Sequence, residues 1–318
     1  MINKNYKKIK ECRLCKSKEL SIVLALNKSP LCDAYIKTKR KQQFYDLELC
    51  LCEACKFTQI NTVVDLKTIY QSYIYPTTKS LGLSDHFNNY TNDICKLLKF
   101  KSKKFIIDIG KDDGTFLSYF KKKKHKVLGI GTSYRSAAIA KKNKIDSINK
   151  LFNVKIANKI IDKHGYADFI SINNFFSNID DLKSFTKNIE SILAKDGVIT
   201  IESSYLINMI NNMVFDFIYH EHLSYLSIFP LESFLKKFGL RLIRIQKVQT
   251  KGGSLRYFIA RNVSKWKVDN GVYIFKKIEK KFNISKKTFI NFNKKINIIN
   301  KDLNKYLSRN MGFCRTRT

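Results

Sequence analysis

A chain of 318 residues that is 44% hydrophobic and 13% aromatic carries enough apolar mass for a packed core and more than one domain, and three prolines with no low-complexity tract exclude long disordered linkers. Sixty basic against 26 acidic residues give a formal charge of +34, which points to a polyanionic or phosphorylated partner. The lysines, however, run through every segment, so bulk composition argues against a dedicated nucleic-acid surface. No apolar run follows the basic first ten residues and none is long enough to span a bilayer. That excludes a membrane anchor and predicts a cytoplasmic protein.

The first segment holds Cys12-Arg13-Leu14-Cys15 and Cys52-Glu53-Ala54-Cys55. Two Cys-x-x-Cys knuckles offer four thiolates, the soft tetrahedral set that zinc prefers, and in a chain without an export signal that spacing favours metal over disulfides. With all four positions filled by protein, the metal is structural. Tyr45–Cys52 alternates apolar and polar residues and predicts a strand between the knuckles. Cys32 and Cys50 are spare, and Cys50 lies close enough in sequence to compete as a ligand. A tyrosine-dense stretch, Tyr70–Pro76, follows; Pro76 should break any helix there. A helix is expected from His86 to about Phe100.

Phe105–Leu117 reads as strand, glycine loop and helix: an apolar run ends in Asp108-Ile109-Gly110, and Gly114 opens an amphipathic helix after Asp112 and Asp113. Gly110 permits a tight turn and a second glycine admits a ligand to the backbone. The loop is not the dinucleotide pattern, and its acidic residues favour a cationic ligand over a pyrophosphate. S-adenosylmethionine, with its sulfonium and ammonium, fits that charge. The next strand, Val127–Ile130, ends in Gly131-Thr132-Ser133, where nucleotide-binding sheets place a carboxylate for the ribose. Ala167–Asn174 is a further buried strand, Leu182–Leu193 a helix, and Gly197–Glu202 the strand after it. This alternation predicts a mostly parallel sheet with helices on both faces.

Tyr219-His220-Glu221-His222-Leu223-Ser224-Tyr225 packs five acid–base side chains into seven residues and reads as a reaction centre at the mouth of the cleft. A metal site at His220 and His222 lacks an evident third ligand. Arg241–Val248 and Ser254–Ala260 read as paired strands around Gly252-Gly253, and Val268 onward as long helices to about Leu307.

In this order the motifs resemble those of the S-adenosylmethionine-dependent sugar C-methyltransferases that carry an N-terminal zinc-binding domain. The resemblance runs from Cys12 to about Arg261 and includes Tyr73-Ile74-Tyr75, Asp108-Ile109-Gly110, Asp113-Gly114-Thr115, Tyr219–Tyr225 and Gly252-Gly253-Ser254-Leu255-Arg256. It implies an α/β fold: a Rossmann-like class I methyltransferase sheet, a zinc module over residues 1–68, the methyltransferase domain over 69–262 and a helical extension over 263–318. It implies S-adenosylmethionine and structural zinc as cofactors, with Asp108, Gly110, Asp113, Gly114 and Asn174 at the cofactor. The substrate is a nucleotide-linked ketosugar. His222 would take the proton α to the ketone, with Glu221, Tyr219 and Tyr73 around the sugar. It implies no membrane or nucleic-acid partner and leaves the oligomeric state open. The chain departs from the family at Gly131, where a glutamate is usual, and at Asn178, where a histidine is expected. It also stops near the start of the family's second Rossmann-like domain. A catalytically impaired relative, and a zinc-ribbon nucleic-acid methyltransferase, are the alternatives.

Overall fold

The computed structural model describes residues 5–32, 38, 42–65, 68–69, 82–110 and 113–310. The cysteine module comes first, as β1 (Tyr6–Lys8), β2 (Leu20–Ser29), β3 (Tyr45–Cys52), β4 (Thr58–Ile60) and β5 (Thr62–Val64). The alternation that predicts β3 ends where the second knuckle begins, and β2, β3 and β4 form an antiparallel meander. β1 and β5 make a separate antiparallel ribbon.

The larger sheet follows the expected alternation. Its elements are α1 (Leu83–Leu97), β6 (Phe105–Ile109), α2 (Thr115–Lys122), β7 (Lys126–Ile130), α3 (Tyr134–Lys142), β8 (Ser147–Ile148), α4 (Val154–His164), β9 (Ala167–Asn173), α5 (Leu182–Ser191), β10 (Leu193–Ser204) and α6 (Leu206–Asn211). Then come β11 (Ser224–Tyr225), α7 (Ile228–Lys236), β12 (Leu240–Val248), β13 (Ser254–Arg261), α8 (Asn270–Phe282) and α9 (Lys286–Asn310). The seven strands lie in the order β12-β13-β10-β9-β6-β7-β8. β8, β7, β6, β9 and β10 run parallel, and β13 is inserted antiparallel between β10 and β12. This is the class I methyltransferase order. The chain leaves β6 in one direction toward β8 and returns to β9 on the other side, so the topological switch falls between β6 and β9.

Both sheet faces are covered. Ile106, Phe169, Val198 and Phe258 face α1 and α2 in one apolar cluster with Tyr90, Phe116 and Phe120. Neighbouring strand residues point the other way, as the two-residue period requires, into a second cluster that runs without a break into the cysteine module. The helix of α1 starts three residues before the expected His86, because Gly82 at φ 76 turns the chain into it.

The C-terminal helices fold back on the start of the chain. Phe289, Phe292 and Ile296 on α9 are buried in the same core, and α9 packs against β2. α8 is fixed by one buried carboxylate: Glu279 accepts the backbone N–H of Ile228 at 2.7 Å and of Phe229 at 2.9 Å, capping α7, and the Tyr205 hydroxyl at 3.2 Å. Burial pushes the Glu279 carboxyl above its ordinary range, although all three donors favour the ionised form. Glu279→Ala should therefore orphan two buried donors and cost about 2–3 kcal/mol in urea unfolding, while Glu279→Gln, which keeps an acceptor, should cost less than half of that.

Candidate functional site

Turns after β1 and β3 bring the two knuckles together. The sulfurs of Cys12, Cys15, Cys52 and Cys55 all lie within 4.8 Å of one another. Cys12–Cys55 is 3.6 Å and Cys15–Cys52 is 3.5 Å. A tetrahedron of sulfurs at zinc–thiolate distance has edges of about 3.8 Å, so the donor set and its spacing fit zinc. Cys50 is buried outside this cluster, and burial pushes its thiol up to about 11, so the competition expected from its sequence position does not arise.

The first knuckle also carries Arg13, whose guanidinium is buried. Its backbone N–H donates to Gln59 Oε1 at 2.8 Å. Nη1 donates to the carbonyls of Ile60 at 2.7 Å and Leu223 at 3.1 Å, and Nε to Asp180 at 3.3 Å. Leu223 belongs to the histidine-rich segment. The next two residues form β11, which pairs with β4 at Ser224–Gln59 and Tyr225–Thr58. His220 adds a contact to the Asp46 carbonyl at 3.3 Å and packs its ring against Tyr45. The segment read as the reaction centre is thus the fourth strand and flank of the zinc module's own sheet.

A cleft of about 750 Å³ opens at the carboxyl ends of the parallel strands. Gly110 after β6, Gly131-Thr132-Ser133 after β7 and Asn173-Asn174 at the end of β9 line one side. Glu202 on β10, His86 on α1, Glu221 and the turn Gln249–Lys251 line the other. Asp108, Asp113 and Gly114 sit with Gly110 on a small adjoining cavity of about 20 Å³. Gly110 has φ +85, and a Cβ there would come within 2.4 Å of the Phe175 ring, so only glycine fits. Asp108 accepts the Ser171 hydroxyl at 2.5 Å and Asn173 Nδ2 at 3.4 Å. Asp113 accepts both the N–H of Thr115 at 3.0 Å and its hydroxyl at 2.5 Å, fixing the entry to α2. Asn173 Oδ1 is buried with no hydrogen-bond partner among the described residues, an acceptor left over for a ligand.

His222 and Tyr219 are not among the residues that line this cleft, although Glu221 between them is. His222 is buried. The Phe217 carbonyl, 3.2 Å from Nδ1, can only accept, so Nδ1 carries the proton and Nε2 accepts the Tyr219 hydroxyl at 2.9 Å. Burial, with Lys251 nearby, pushes the imidazole down to about 3, so it is neutral at physiological pH. Tyr73 lies outside the described residues, as does Asp112. Asn178 lines the cleft at the position where a histidine was expected.

The sequence reading missed a second polar cluster. Arg256 Nε and Nη2 both reach Glu202 Oε2, at 2.9 and 2.7 Å, and His86 Nε2 lies 2.9 Å from Glu202 Oε1. Glu202 and Arg256 are directly paired across β10 and β13. Burial alone would raise the Glu202 carboxyl, but His86 and Arg256 hold it below the ordinary carboxylate range. A signal was present: an acid and a base each interrupt an otherwise apolar strand, and such charges are buried only when paired.

A methyltransferase domain family matches residues 85–245, just over half of the chain. The chain belongs to that methyltransferase family. A family of proposed zinc binding domains matches residues 12–70. The C-methyltransferase NovU of Streptomyces niveus is 23% identical over 255 residues, which are 79% of this methyltransferase chain and 61% of the relative. The chain therefore spans under two thirds of the curated relative's length. Among solved structures, the PH0226 protein of Pyrococcus horikoshii OT3 aligns over 62% of this chain and 99% of its own, at 13% identity and a TM-score of 0.47. A magnesium protoporphyrin IX methyltransferase from Synechocystis PCC 6803 aligns over 59% and 85%, at 10% identity and a TM-score of 0.43. No helix among the described residues is long and apolar enough to cross a membrane.

Arg13 bonds the first cysteine knuckle directly to the histidine-rich segment. Arg13→Ala, or removal of the metal with a chelator, should speed amide hydrogen exchange at Leu223, Ser224 and Tyr225 at least tenfold while leaving β6 and β9 unchanged. Uniform exchange across the sheet would show instead that the whole fold had loosened.

Proposed function

We propose that this chain transfers a methyl group from S-adenosylmethionine to a carbon next to the ketone of a nucleotide-linked deoxysugar, in the cytoplasm, with zinc in a structural role. The observation that carries the reading is that Glu221, inside the histidine-rich segment, lines the same cleft as Gly110 and Asn174. The chain match to a C-methyltransferase supports the same chemistry. S-adenosylmethionine, when bound, supplies an electrophilic methyl group.

Asp108, Gly110, Asp113, Gly114 and Asn174 are assigned to hold the cofactor. The unpartnered acceptor Asn173 Oδ1 suits a ligand rich in donors. Gly131, Thr132 and Ser133 would take the ribose without a carboxylate. His222 is assigned as the base. Its neutral imidazole accepts the α-proton on Nε2, and the C–H electron pair passes into the enolate. For that, the Tyr219 hydroxyl has to leave Nε2; moved to the ketone oxygen, it donates to the developing oxyanion. Glu221, and Tyr73 by resemblance, would hold the sugar. Under this reading residues 1–68 form the zinc module, 69–262 the methyltransferase domain and 263–318 the helical extension.

A weakened relative is the second reading, favoured by the lack of any carboxylate at Gly131 on the cleft wall. Calorimetric titration with S-adenosylmethionine separates the two. Micromolar binding supports the enzyme; no detectable heat removes the cofactor assignment. Gly131→Glu should tighten binding on the order of ten- to a hundredfold, the worth of a hydrogen bond to a charged group. His222→Ala should abolish methyl transfer to a nucleotide-linked ketosugar and leave cofactor binding within threefold; retained turnover would remove the base assignment.

A further inference from the structure

Among the described residues that line the cleft, His86 is the sole imidazole. It sits in the first turn of α1 with its side chain partly open, and Nε2 is 2.9 Å from Glu202 Oε1. Glu202 is buried and ionised, so it can only accept, and the proton of the neutral ring lies on Nε2. Nδ1 has no partner among the described residues. The other surroundings of His86 are apolar or reach it through Glu202. Phe87 and Tyr90 pack against the ring at 5.6 and 6.1 Å, the Arg256 guanidinium pairs with the far oxygen of Glu202, and the Thr250 hydroxyl lies 3.5 Å from the near one.

This cluster lines the cleft that also holds Glu221 and Lys251, and Lys251 is close enough to His222 to depress its titration. The carboxylate behind an imidazole does two things. It fixes the ring and its tautomer, and it stabilises the imidazolium when the free nitrogen gains a proton. Arg256 matters here too: stacked 3.1 Å over the Tyr90 ring and paired to Glu202, it keeps the buried carboxylate in place. His222 has both nitrogens engaged, whereas His86 has one open.

We propose that His86, held by the Glu202–Arg256 pair, is a further catalytic residue: the proton shuttle at the substrate's carbonyl oxygen. This rests on the methyl-transfer reading above and adds a second proton-handling group to it. As the α C–H bond breaks toward His222, the Nδ1 proton of the His86 imidazolium passes to the ketone oxygen, and the C–H pair becomes the enol double bond. When the enol double-bond pair takes the methyl group, the broken S–CH3 pair would stay with the donor's sulfur, the carbonyl re-forms, and the oxygen returns that proton to Nδ1. His86 ends as it began, and the one proton released stays with the base.

The test uses the full-length zinc-loaded protein with S-adenosylhomocysteine and thymidine diphosphate-linked 4-keto-6-deoxyglucose as probe. Imidazole nitrogen-15 spectra, assigned with His86→Gln, should show the Nδ1 signal of His86 moving when the ketosugar is added. In turnover, His86→Gln should lose at least a hundredfold in kcat while binding S-adenosylhomocysteine within threefold of the parent. An unmoved Nδ1 signal with calorimetrically bound sugar overturns the proposal, as does a kcat within threefold. Loss of S-adenosylhomocysteine binding in the variant also overturns it, because His86 would then serve the cofactor. Should His86→Gln fail to fold, His86→Asn and the spectra of the unsubstituted protein decide. A ketosugar that binds and moves Nδ1 without any turnover counts against the methyl-transfer reading and leaves the shuttle contact standing. A sugar that fails to bind removes both.

Discussion

A buried guanidinium needs every donor answered, and Arg13 is placed where the answers come from two ends of the chain. Its own loop is set by the cysteine knuckle, one carbonyl comes from β4 and one from Leu223 more than two hundred residues later. Burial lowers the Arg13 pKa, with Asp180 opposing that shift, and Nη2 finds no partner among the described residues. Such a group is costly to hold and more costly to lose, because removing one acceptor strands a buried charge. The histidine-rich segment is otherwise weakly determined. It has one two-residue strand, preceded by a turn and followed by a single bridge from Leu226 to Tyr205. Its geometry is inherited from the zinc module through Arg13 and the β4–β11 pairing. A metal held by the four cysteines, with no open coordination position, would thus set the geometry of a segment it never touches.

Net charge says little about the cleft. The chain carries +34 overall, yet the cleft wall that holds His86 balances Glu202 and Glu221 against Lys150 and Lys251. Arg256 answers Glu202 within the protein, leaving its other oxygen to His86. Burial sets the two histidines apart. His222 is buried with both nitrogens bonded and stays neutral; His86 is partly open, with Nδ1 unbonded among the described residues. In the proposed enzyme, two imidazoles of different exposure would divide the proton acceptor from the proton shuttle.

Most of the fold could be read in the residues. β3 matches its alternation over Tyr45–Cys52, and the glycine loop after β6 sits at the switch point because strand, glycine and helix follow in that order. The antiparallel β12–β13 pair likewise follows from two apolar runs around Gly252-Gly253. The helix over Leu182 stopped early. Leu193 belongs to β10, where Gly197 approaches the Ala167 carbonyl too closely for any Cβ, and a bulge joins the two parts of the strand. What could not be read was contact between distant segments. No local pattern pairs Ser224 with Gln59, since a two-residue strand has no period, and no spacing rule brings Arg13 to Leu223. His86 looked like one residue in an amphipathic helix, and only the register of β10 against β13 turns its neighbour Glu202 into a partner.

The wall of the cleft at β7 shows how binding free energy is distributed in the proposed enzyme. A ribose bonded to a carboxylate gains about 1.5–3 kcal/mol, whereas one bonded to a neutral hydroxyl gains about 0.5–1.5 kcal/mol. Gly131-Thr132-Ser133 can offer only the second kind. The shortfall of about 1 kcal/mol is roughly fivefold in affinity and has to be met elsewhere. The polar groups placed to meet it are on β6 and β9: Asp108, fixed by Ser171 and Asn173, and the free acceptor Asn173 Oδ1. These lie at the switch point rather than at the second strand. The cofactor would then be held chiefly where its cationic part meets acceptors, and only loosely at its ribose. Ligand affinity in this chain should accordingly depend more on Asp108 and Asn173 than on anything after β7.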